Sequence, residues 1–252
     1  MQDLGRFLLV LALICAGSHV RGSVIINGQL VPEGSMPYMV SVQSNKAHLC
    51  GGFLITENIV LTAAHCDIDL THVVLGGNNL KNSNVKKIEI SSKCKQKNYK
   101  DPGSGYDIML LKLDSRAPIG NNINTIPLAE GNMNLENHQE CFVAGWGLTE
   151  SSNYPVDDLR MVNVSIINQQ VCLNKWINLP ANVICAGGYK TDKGFCQGDS
   201  GGPLVCNGKA VGIVSFNRNS NCKYPDVPNV YTDIRRYLLW IKNVLNNITC
   251  PM

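Results

Sequence analysis

Short apolar runs rich in β-branched residues recur along most of the chain, and clusters of glycine, asparagine and proline separate them. Runs of roughly four to eight such residues between turn signals are typical of β-strands. They do not alternate with the longer helical patterns that βα units would need. The pattern therefore predicts an all-β sandwich or barrel. The runs are PYMVSVQ, GGFLITENIVLTAAHC, THVVLGG, VKKIEIS, DIMLLKL, CFVAGWG, LRMVNVSII, PLVC, KAVGIVSF and VPNVYTDI.

One segment near the C-terminus, DIRRYLLWIKNVLNNI, has a helical pattern. Its apolar residues recur at spacings of three and four, which predicts a helix with one apolar stripe laid on the β-structure. A shorter helix is predicted within NQQVCLNKW, around Cys172. There is no readable repeat or linker, so the pattern alone sets no boundary inside the β-region. The stripe residues are Ile234, Leu238, Ile241, Leu245 and Ile248.

The first residues, MQDLGRFLLVLALICAGSHVRG, follow a different pattern. An arginine-containing start precedes an apolar run from Phe7 to Ala16, and small residues come after it. This order predicts a secretory signal peptide over residues 1–22, because the run is too short to span a membrane. Gly17 and Gly22 both fit a signal-peptidase site. No second apolar run is long enough to span, so we predict a secreted protein without a membrane span.

Composition and charge narrow the class of protein. The chain has 252 residues, of which 44% are hydrophobic and 16% charged, and its net charge is +3. A chain of this length buries a sizeable core as one large or two small β-domains. Its basic residues are scattered, so no nucleic-acid partner is predicted. The densest basic run, from Lys86 to Lys100, is interpreted as a solvated face in preference to a docking patch.

The cysteines indicate disulfide bonds. Of eleven cysteines, Cys15 lies in the predicted leader, which leaves ten in the secreted chain. An even number in a secreted protein favours a disulfide framework. No Cys-x-x-Cys pair or other zinc-ligand spacing occurs, so no metal site is predicted.

The stretch FCQGDSGGPLVC contains the most specific chemical signal, although Ser200 within it could equally be a turn residue. A serine hydroxyl becomes a nucleophile only when a base takes its proton and a third group orients that base. His65, between a strand and a cysteine in LTAAHC, is the candidate base, and Asp107, which opens DIMLLKL, is the candidate acid. Alone, each has a structural reading, such as an N-cap for the aspartate. Three other histidines are interpreted as surface or structural residues: His48, His72 and His138.

Together, in the order His65, Asp107, Ser200, these residues resemble the chymotrypsin-like (trypsin-fold) serine protease family. The nearest style is that of the granule-associated members: granzymes, mast-cell proteases and duodenase. The resemblance covers residues 25–252 and implies two six-stranded antiparallel β-barrels with a C-terminal α-helix and an active site between the barrels. The supporting motifs are IING (25–28), CGGFLI (50–55), LTAAHC (61–66), DIMLLKL (107–113), GWG (145–147), GDSGGPL (198–204), IVSF (213–216) and NVYT (229–232).

The resemblance implies a serine endopeptidase with a defined role for each residue. Ser200 attacks the scissile carbonyl, His65 transfers the proton, and Asp107 holds the imidazole. The backbone N–H groups of Gly198 and Ser200 form the oxyanion hole, where a side chain at position 198 would crowd the oxygen. Ser215 supports the aspartate, and the backbone from Ser215 to Asn217 pairs with the substrate as an added strand. No cofactor is implied.

The resemblance also implies disulfide pairing. Cys94 and Cys250 match no common bridge of the family, and we hypothesise that they pair with each other and tie the C-terminal helix to the first barrel. The four pairs that match are Cys50 with Cys66, Cys141 with Cys206, Cys172 with Cys185, and Cys196 with Cys222.

Activation in the family implies a zymogen in which cleavage frees the α-amino group of Ile25 to pair with Asp199. No lysine or arginine directly precedes Ile25, so cleavage by a trypsin-like enzyme is not expected. A leader ending at Gly22 leaves residues 23–24 as a propeptide, which fits removal by a dipeptidyl peptidase. Asn27 replaces the usual glycine, and asparagine tolerates a positive φ. Storage in secretory granules is the corresponding expectation.

Specificity is inferred from the residues that match the family's substrate pocket. Gly194 stands where trypsin-like members carry an aspartate, so a basic P1 side chain would lack a countercharge. Asn217 and Asn229 replace glycines and Phe195 adds bulk, which predicts a preference for small or medium P1 residues, polar ones among them, closer to elastase-like than to trypsin-like or chymase-like choice. The alternative is a catalytically inactive binding protein with an occluded pocket. The predicted pocket residues are Gly194, Phe195, Ser215, Phe216, Asn217 and Asn229.

Further expectations concern partners and modification. Protein or peptide substrates and serpin-type or other protease inhibitors are the implied partners. The loop after LGGNNL lacks the paired glutamates of calcium-binding relatives, so no calcium is expected. Asn163 and Asn247 lie in N-glycosylation patterns, which predicts a glycoprotein.

Overall fold

The computed structural model describes residues 25–45, 47–149, 154–224, 226–246 and 250. Some predicted features lie outside the described residues: the signal peptide (1–22), the propeptide (23–24), the glycosylation pattern at Asn247, and Ile248. None of the described helices is long and apolar enough to cross a membrane.

The described part contains thirteen strands and two α-helices. The strands are β1 (Gln29–Leu30), β2 (Met39–Gln43), β3 (His48–Thr56), β4 (Ile59–Thr62), β5 (His72–Leu75), β6 (Lys86–Lys95), β7 (Met109–Leu113), β8 (Glu140–Gly145), β9 (Arg160–Ser165), β10 (Val183–Cys185), β11 (Pro203–Cys206), β12 (Lys209–Phe216) and β13 (Val230–Asp233). The helices are α1 (Gln169–Lys175) and α2 (Leu238–Asn246).

The first β-unit is a closed antiparallel barrel. Its strands follow the order β2-β3-β4-β7-β6-β5 around the barrel. The β-branched and leucine residues of the sequence runs fill its interior, which is the main source of its stability. Fully buried members include Val40, Leu54, Leu61, Val73 and Leu111.

The second β-unit is a seven-stranded antiparallel sheet in the order β1-β9-β8-β11-β12-β13-β10. An antiparallel bridge between Ile166 and Ala186 joins the chain just after β9 to the chain just after β10. This bridge brings together the two ends of the six strands β8 to β13, and β1 adds a seventh strand beside β9. The predicted fold of two antiparallel β-units with a C-terminal helix is confirmed.

The two helices lie close to their predicted positions. The side chain of Asn168 caps α1 by accepting a hydrogen bond from the backbone N–H of Gln170 at 2.9 Å. At the C-terminus, Ile234 and Ile241 are buried, as the predicted stripe requires. Leu245 is 38% exposed because it borders an open cavity beside Cys94 and Cys250.

Five disulfides crosslink the described chain. One of them joins Cys94 of β6 to Cys250 beyond α2, with the two Cα atoms 5.3 Å apart. This bond fastens the C-terminal segment to the first barrel. The other four pairs are Cys50–Cys66, Cys141–Cys206, Cys172–Cys185 and Cys196–Cys222.

Candidate active site

Strand pairing in the first barrel brings His65 and Asp107 together. Thr62 at the end of β4 pairs with Met109 at the start of β7. His65 follows β4 within a 3₁₀ turn, and Asp107 comes just before β7, so both residues lie at the same edge of the barrel. Cys66 is bonded to Cys50, which anchors the turn and leaves neither sulfur atom free to bind a metal beside His65.

Asp107 is a fully buried carboxylate that accepts three hydrogen bonds. Its Oδ2 atom lies 2.7 Å from Nδ1 of His65, and its Oδ1 atom accepts from the backbone N–H of His65 at 2.9 Å. The Ser215 hydroxyl donates to Oδ2 at 2.5 Å. These contacts fix the ring of His65 and leave its Nε2 atom as the proton acceptor. The His65 side chain is 23% exposed, so this atom is within reach of a reacting group.

Ser200 is supplied by the second β-unit, in the turn between β10 and β11. Its backbone carbonyl accepts a hydrogen bond from the N–H of Gly51 in β3 at 2.8 Å, which pins the turn to the first barrel. Gly51 is adjacent to Cys50, whose disulfide anchors the turn of His65. No hydrogen bond joins the Ser200 hydroxyl to the His65 ring among the described residues. In unliganded enzymes such catalytic contacts are often long and shorten when substrate binds.

Two backbone N–H groups beside Ser200 have no acceptor. Within the described chain, neither the N–H of Gly198 nor that of Ser200 donates a hydrogen bond, whereas the intervening N–H of Asp199 donates to the carbonyl of Cys196. Gly198 has a φ of 94°, and a Cβ atom there would lie 2.8 Å from the Cα of Gly147. Position 198 therefore requires glycine, and its conformation leaves a pair of donors for a negatively charged oxygen.

His48, predicted to be a surface or structural histidine, contacts the turn that carries Ser200. It is buried, and its Nε2–H donates to the carbonyl of Gly198 at 2.9 Å while Nδ1 accepts from the Ser41 hydroxyl at 2.7 Å. Burial lowers the pKa of His48 to about 4, against the raising effect of its bond to Gly198. The neutral ring thus holds the carbonyl of Gly198, the residue whose own N–H is one of the two free groups. The sequence feature that indicates burial of His48 is its position two residues before Cys50 in β3, because alternate residues of a strand face the same side.

Asp199 is a second buried carboxylate, and its surroundings differ from those of Asp107. Its two oxygen atoms accept the backbone N–H groups of Gly147 and Cys196, each at 2.8 Å. Burial raises the pKa of Asp199 to about 7, although both hydrogen bonds act to lower it. In the described chain no cation contacts this carboxylate. A negative charge on this carboxyl would therefore be uncompensated, which favours its protonated form.

The start of the domain lies close to the predicted specificity pocket. Ile25 is only 1% exposed and has a φ of 46°, which is strained for a β-branched residue. Ile26 forms an antiparallel bridge with Gly194. Asn27 has a φ of 57°, the conformation that its residue type tolerates.

The buried carboxyl of Asp199 leads to a prediction for the uncut chain. The folded carboxyl keeps its proton up to a pH of about 7, whereas an unfolded aspartate releases it near ~4. Between these values the folded Asp199 carboxyl binds more protons than the unfolded one, so its contribution to the free energy of unfolding should fall as pH rises, with a slope of up to about 1.4 kcal/mol per pH unit. His48 contributes a slope of opposite sign over much of the same window, because its folded pKa of about 4 lies below the unfolded value of ~6.5. The Asp199 contribution is therefore the difference in slope between the parent protein and a variant that lacks this carboxyl. Urea unfolding from pH 4.5 to 7.5, with disulfides intact, measures both slopes.

The control for this prediction is a matched pair of variants. Asp199→Asn should have a more positive slope of unfolding free energy against pH than the parent protein, because its side chain does not titrate and the falling contribution is lost. Asp192→Asn changes an exposed carboxylate and should keep the parent slope. Equal slopes in Asp199→Asn and the parent protein would show that Asp199 is not the titrating group.

Two of the predicted pocket residues, Gly194 and Asn229, pack directly against each other. Gly194 has no room for a side chain, because a Cβ atom there would collide with Nδ2 of Asn229 and lie 2.7 Å from the Tyr224 hydroxyl. Phe195 is buried with its ring edge-on to Tyr231 at 5.2 Å between centroids. The other predicted members are consecutive at the end of β12, where Ser215 is buried and Phe216 and Asn217 are half-buried.

Comparison with known proteins decides the family. The sequence model of the family described as Trypsin matches residues 25–241. The chain belongs to the trypsin family of chymotrypsin-like serine proteases. As a member of this family the protein is a serine endopeptidase, a hydrolase whose substrates are peptides.

Individual trypsin-family relatives match over nearly the full chain. Trypsin from Xenopus laevis is 38% identical over 245 residues, covering 95% of this chain and 98% of the relative. Duodenase-1 from Bos taurus is 36% identical over 244 residues, covering 94% and 95%. The solved structure of neuropsin, a serine protease expressed in the limbic system of mouse brain, superposes with a TM-score of 0.80 at 32% identity, covering 87% of this chain and 99% of that one. The predicted resemblance, including its duodenase-like style, is confirmed.

Proposed function

We propose that the protein hydrolyses peptide bonds through a triad of Ser200, His65 and Asp107, by way of an acyl-enzyme intermediate. The observation that carries this proposal is the hydrogen bond between Nδ1 of His65 and Oδ2 of Asp107, at 2.7 Å. It lies beside the turn that contains Ser200 and two backbone N–H groups without an acceptor. A general base, a nucleophile and an oxyanion site from both β-units meet there. Acyl transfer requires these three groups together.

The triad residues act in sequence. Nε2 of His65 takes the proton of the Ser200 hydroxyl as its oxygen attacks the scissile carbonyl, and the imidazolium then gives this proton to the leaving amine. A water molecule then attacks the acyl carbonyl while Nε2 of His65 takes its proton. The imidazolium gives this proton to the Ser200 oxygen, which leaves as the hydroxyl and releases the acid product. Asp107 holds the productive tautomer through Nδ1 and stabilises the imidazolium, and Ser215 keeps the carboxylate in place at 2.5 Å.

The oxyanion formed in each step lies against the N–H groups of Gly198 and Ser200. One such donor is worth a few kcal/mol of transition-state stabilisation. His48 holds the residue Gly198 in place through the carbonyl oxygen of Gly198. Because its lowered pKa keeps the His48 ring neutral at physiological pH, the contact of His48 with Gly198 involves no charge change on His48 near pH 7.

The pocket residues support a preference for small or medium P1 side chains. Gly194 supplies no charge for lysine or arginine, and the space before it is already narrowed by Asn229 and Phe195. We further propose secretion with storage in granules, removal of residues 23–24 by a dipeptidyl peptidase, and pairing of the freed Ile25 amine with Asp199. Serpin-type inhibitors are the proposed regulators, and Asn163, exposed on β9, is a proposed glycan site.

Labelling with a fluorophosphonate probe tests the proposed function. The secreted protein, with its N-terminus confirmed as Ile25, should react with the probe, and Ser200→Ala should not. The probe needs an activated serine, so labelling that persists in Ser200→Ala would refute the assignment of the nucleophile. No labelling of the wild-type protein would contradict the triad and favour an inactive binding protein.

A further inference from the structure

Three buried polar atoms near Gly194 have no hydrogen-bond partner. Asn229 is 1% exposed, and neither its Nδ2 nor its Oδ1 atom is paired; the hydroxyl of Tyr231 is also unpaired. Buried polar atoms are nearly always hydrogen-bonded, and each unpaired one costs free energy. Asn229 and Tyr231 are two positions apart in extended chain at β13, so their side chains point to the same side.

These atoms line the floor of the proposed specificity pocket. Nδ2 of Asn229 lies against Gly194, and Oδ1 would lie 2.5 Å from a Cβ atom at Gly188. The ring of Tyr231 packs against Phe195, whose backbone carbonyl is occupied by the Tyr224 hydroxyl at 2.7 Å. The floor therefore presents one amide and one phenol with unused hydrogen-bonding capacity.

The floor carries no ionic side chain that could pair with a substrate charge. Gly194 contributes no charge, and the nearby Asp199, which accepts the N–H groups of Gly147 and Cys196, is the proposed partner of the freed Ile25 amine. A charged P1 side chain would be buried without a counterion, which is costly. An apolar P1 side chain would leave all three floor atoms unpaired. A neutral side chain with both a donor and an acceptor avoids both costs.

We propose that this pocket selects a primary carboxamide, asparagine or glutamine, on the amino side of the cleaved bond. The inference rests on the proposed function. A carboxamide oxygen can accept from Nδ2 of Asn229, and its NH₂ group can donate to the hydroxyl of Tyr231. The floor is closed to solvent without substrate, so binding must open it. The unpaired atoms lower the cost of opening, because the closed state leaves them unsatisfied.

Peptide p-nitroanilides of the form Ala-Ala-Pro-X test the proposal with the Ile25-started protein. Asparagine, leucine and aspartate at X have nearly the same shape but differ in hydrogen bonding and charge. We expect kcat/KM for asparagine to exceed that for leucine and for aspartate by at least about tenfold, since sites built to hydrogen-bond a substrate reject analogues lacking the group. Glutamine should exceed methionine and glutamate in the same way.

Variants assign the preference to the floor. Asn229→Leu keeps the side-chain volume and removes both amide atoms, so its asparagine-to-leucine ratio should fall to about one or below. Tyr231→Phe should lower the asparagine-to-leucine ratio of kcat/KM several-fold. It provides the test if Asn229→Leu does not fold. Asn134→Leu makes the same change at an exposed position and should keep the wild-type ratio.

Two negative results are distinguishable. If the wild-type protein reacts with the fluorophosphonate probe but cleaves the leucine substrate as fast as the asparagine one, the carboxamide preference is wrong and the proposed function stands. If it neither reacts with the probe nor cleaves any peptide, both proposals fail.

Discussion

Alanine at Ser200 and alanine at His65 are each expected to lower kcat by about a million-fold, and the double variant is expected to lose little more. The losses should not add, because the hydroxyl is a weak nucleophile without the base and the base has no proton to take without the hydroxyl. A residual rate of about 10³ to 10⁴ over water should survive, because the N–H groups of Gly198 and Ser200 remain. Steady-state hydrolysis of a peptide p-nitroanilide measures all three variants.

The control for these variants is Ser92→Ala, which removes an exposed hydroxyl on β6 and should keep the wild-type kcat. Independent effects would contradict the model of a single catalytic unit. In that case the second substitution would lower kcat of the single variant by about another million-fold.

Asparagine at Asp107 is expected to lower kcat by about 10⁴-fold at neutral pH. Its amide group would donate to Nδ1 of His65, which moves the ring proton to Nε2 and leaves no acceptor for the Ser200 hydroxyl. The change is isosteric, so the protein should fold and bind peptides with a similar KM. Kinetics with the same p-nitroanilide separate kcat from KM.

The matched control for this substitution lies at the other end of the same strand. Asp114 follows β7 and is exposed, so Asp114→Asn should leave kcat unchanged. A loss of less than tenfold in Asp107→Asn would mean that the carboxylate does not set the tautomer of His65.

The strands of the barrels were predictable because their hydrophobic runs are long. The run DIMLLKL contains β7 and ends at the same residue, and the run KAVGIVSF coincides with β12. The two strands that were missed, β1 and β10, have two and three residues, too few to display a period. They form by backbone pairing with strands that lie far away in the sequence: β1 pairs with β9, and β10 pairs with β13.

The site was predictable only in its residue types. Local motifs singled out His65, Asp107 and Ser200 because their flanking sequences are specific. His48 was not assigned a functional role, because its contact with Gly198 joins residues 150 positions apart. The unpaired amide of Asn229 was likewise hidden, since pairing depends on how Gly188, Gly194 and Tyr231 meet around it.

The left-handed backbone of Ile25 has a consequence for the proposed maturation. The torsion φ of a residue is defined through the peptide bond that precedes it, so cutting the bond before Ile25 abolishes the torsion that measures 46° in the intact chain. A β-branched residue held in this region stores about 1 to 3 kcal/mol. Proteolysis would release this stored energy, so the proposed pairing of the new Ile25 amine with Asp199 would be driven by relaxation of the backbone as well as by the charge of the amine.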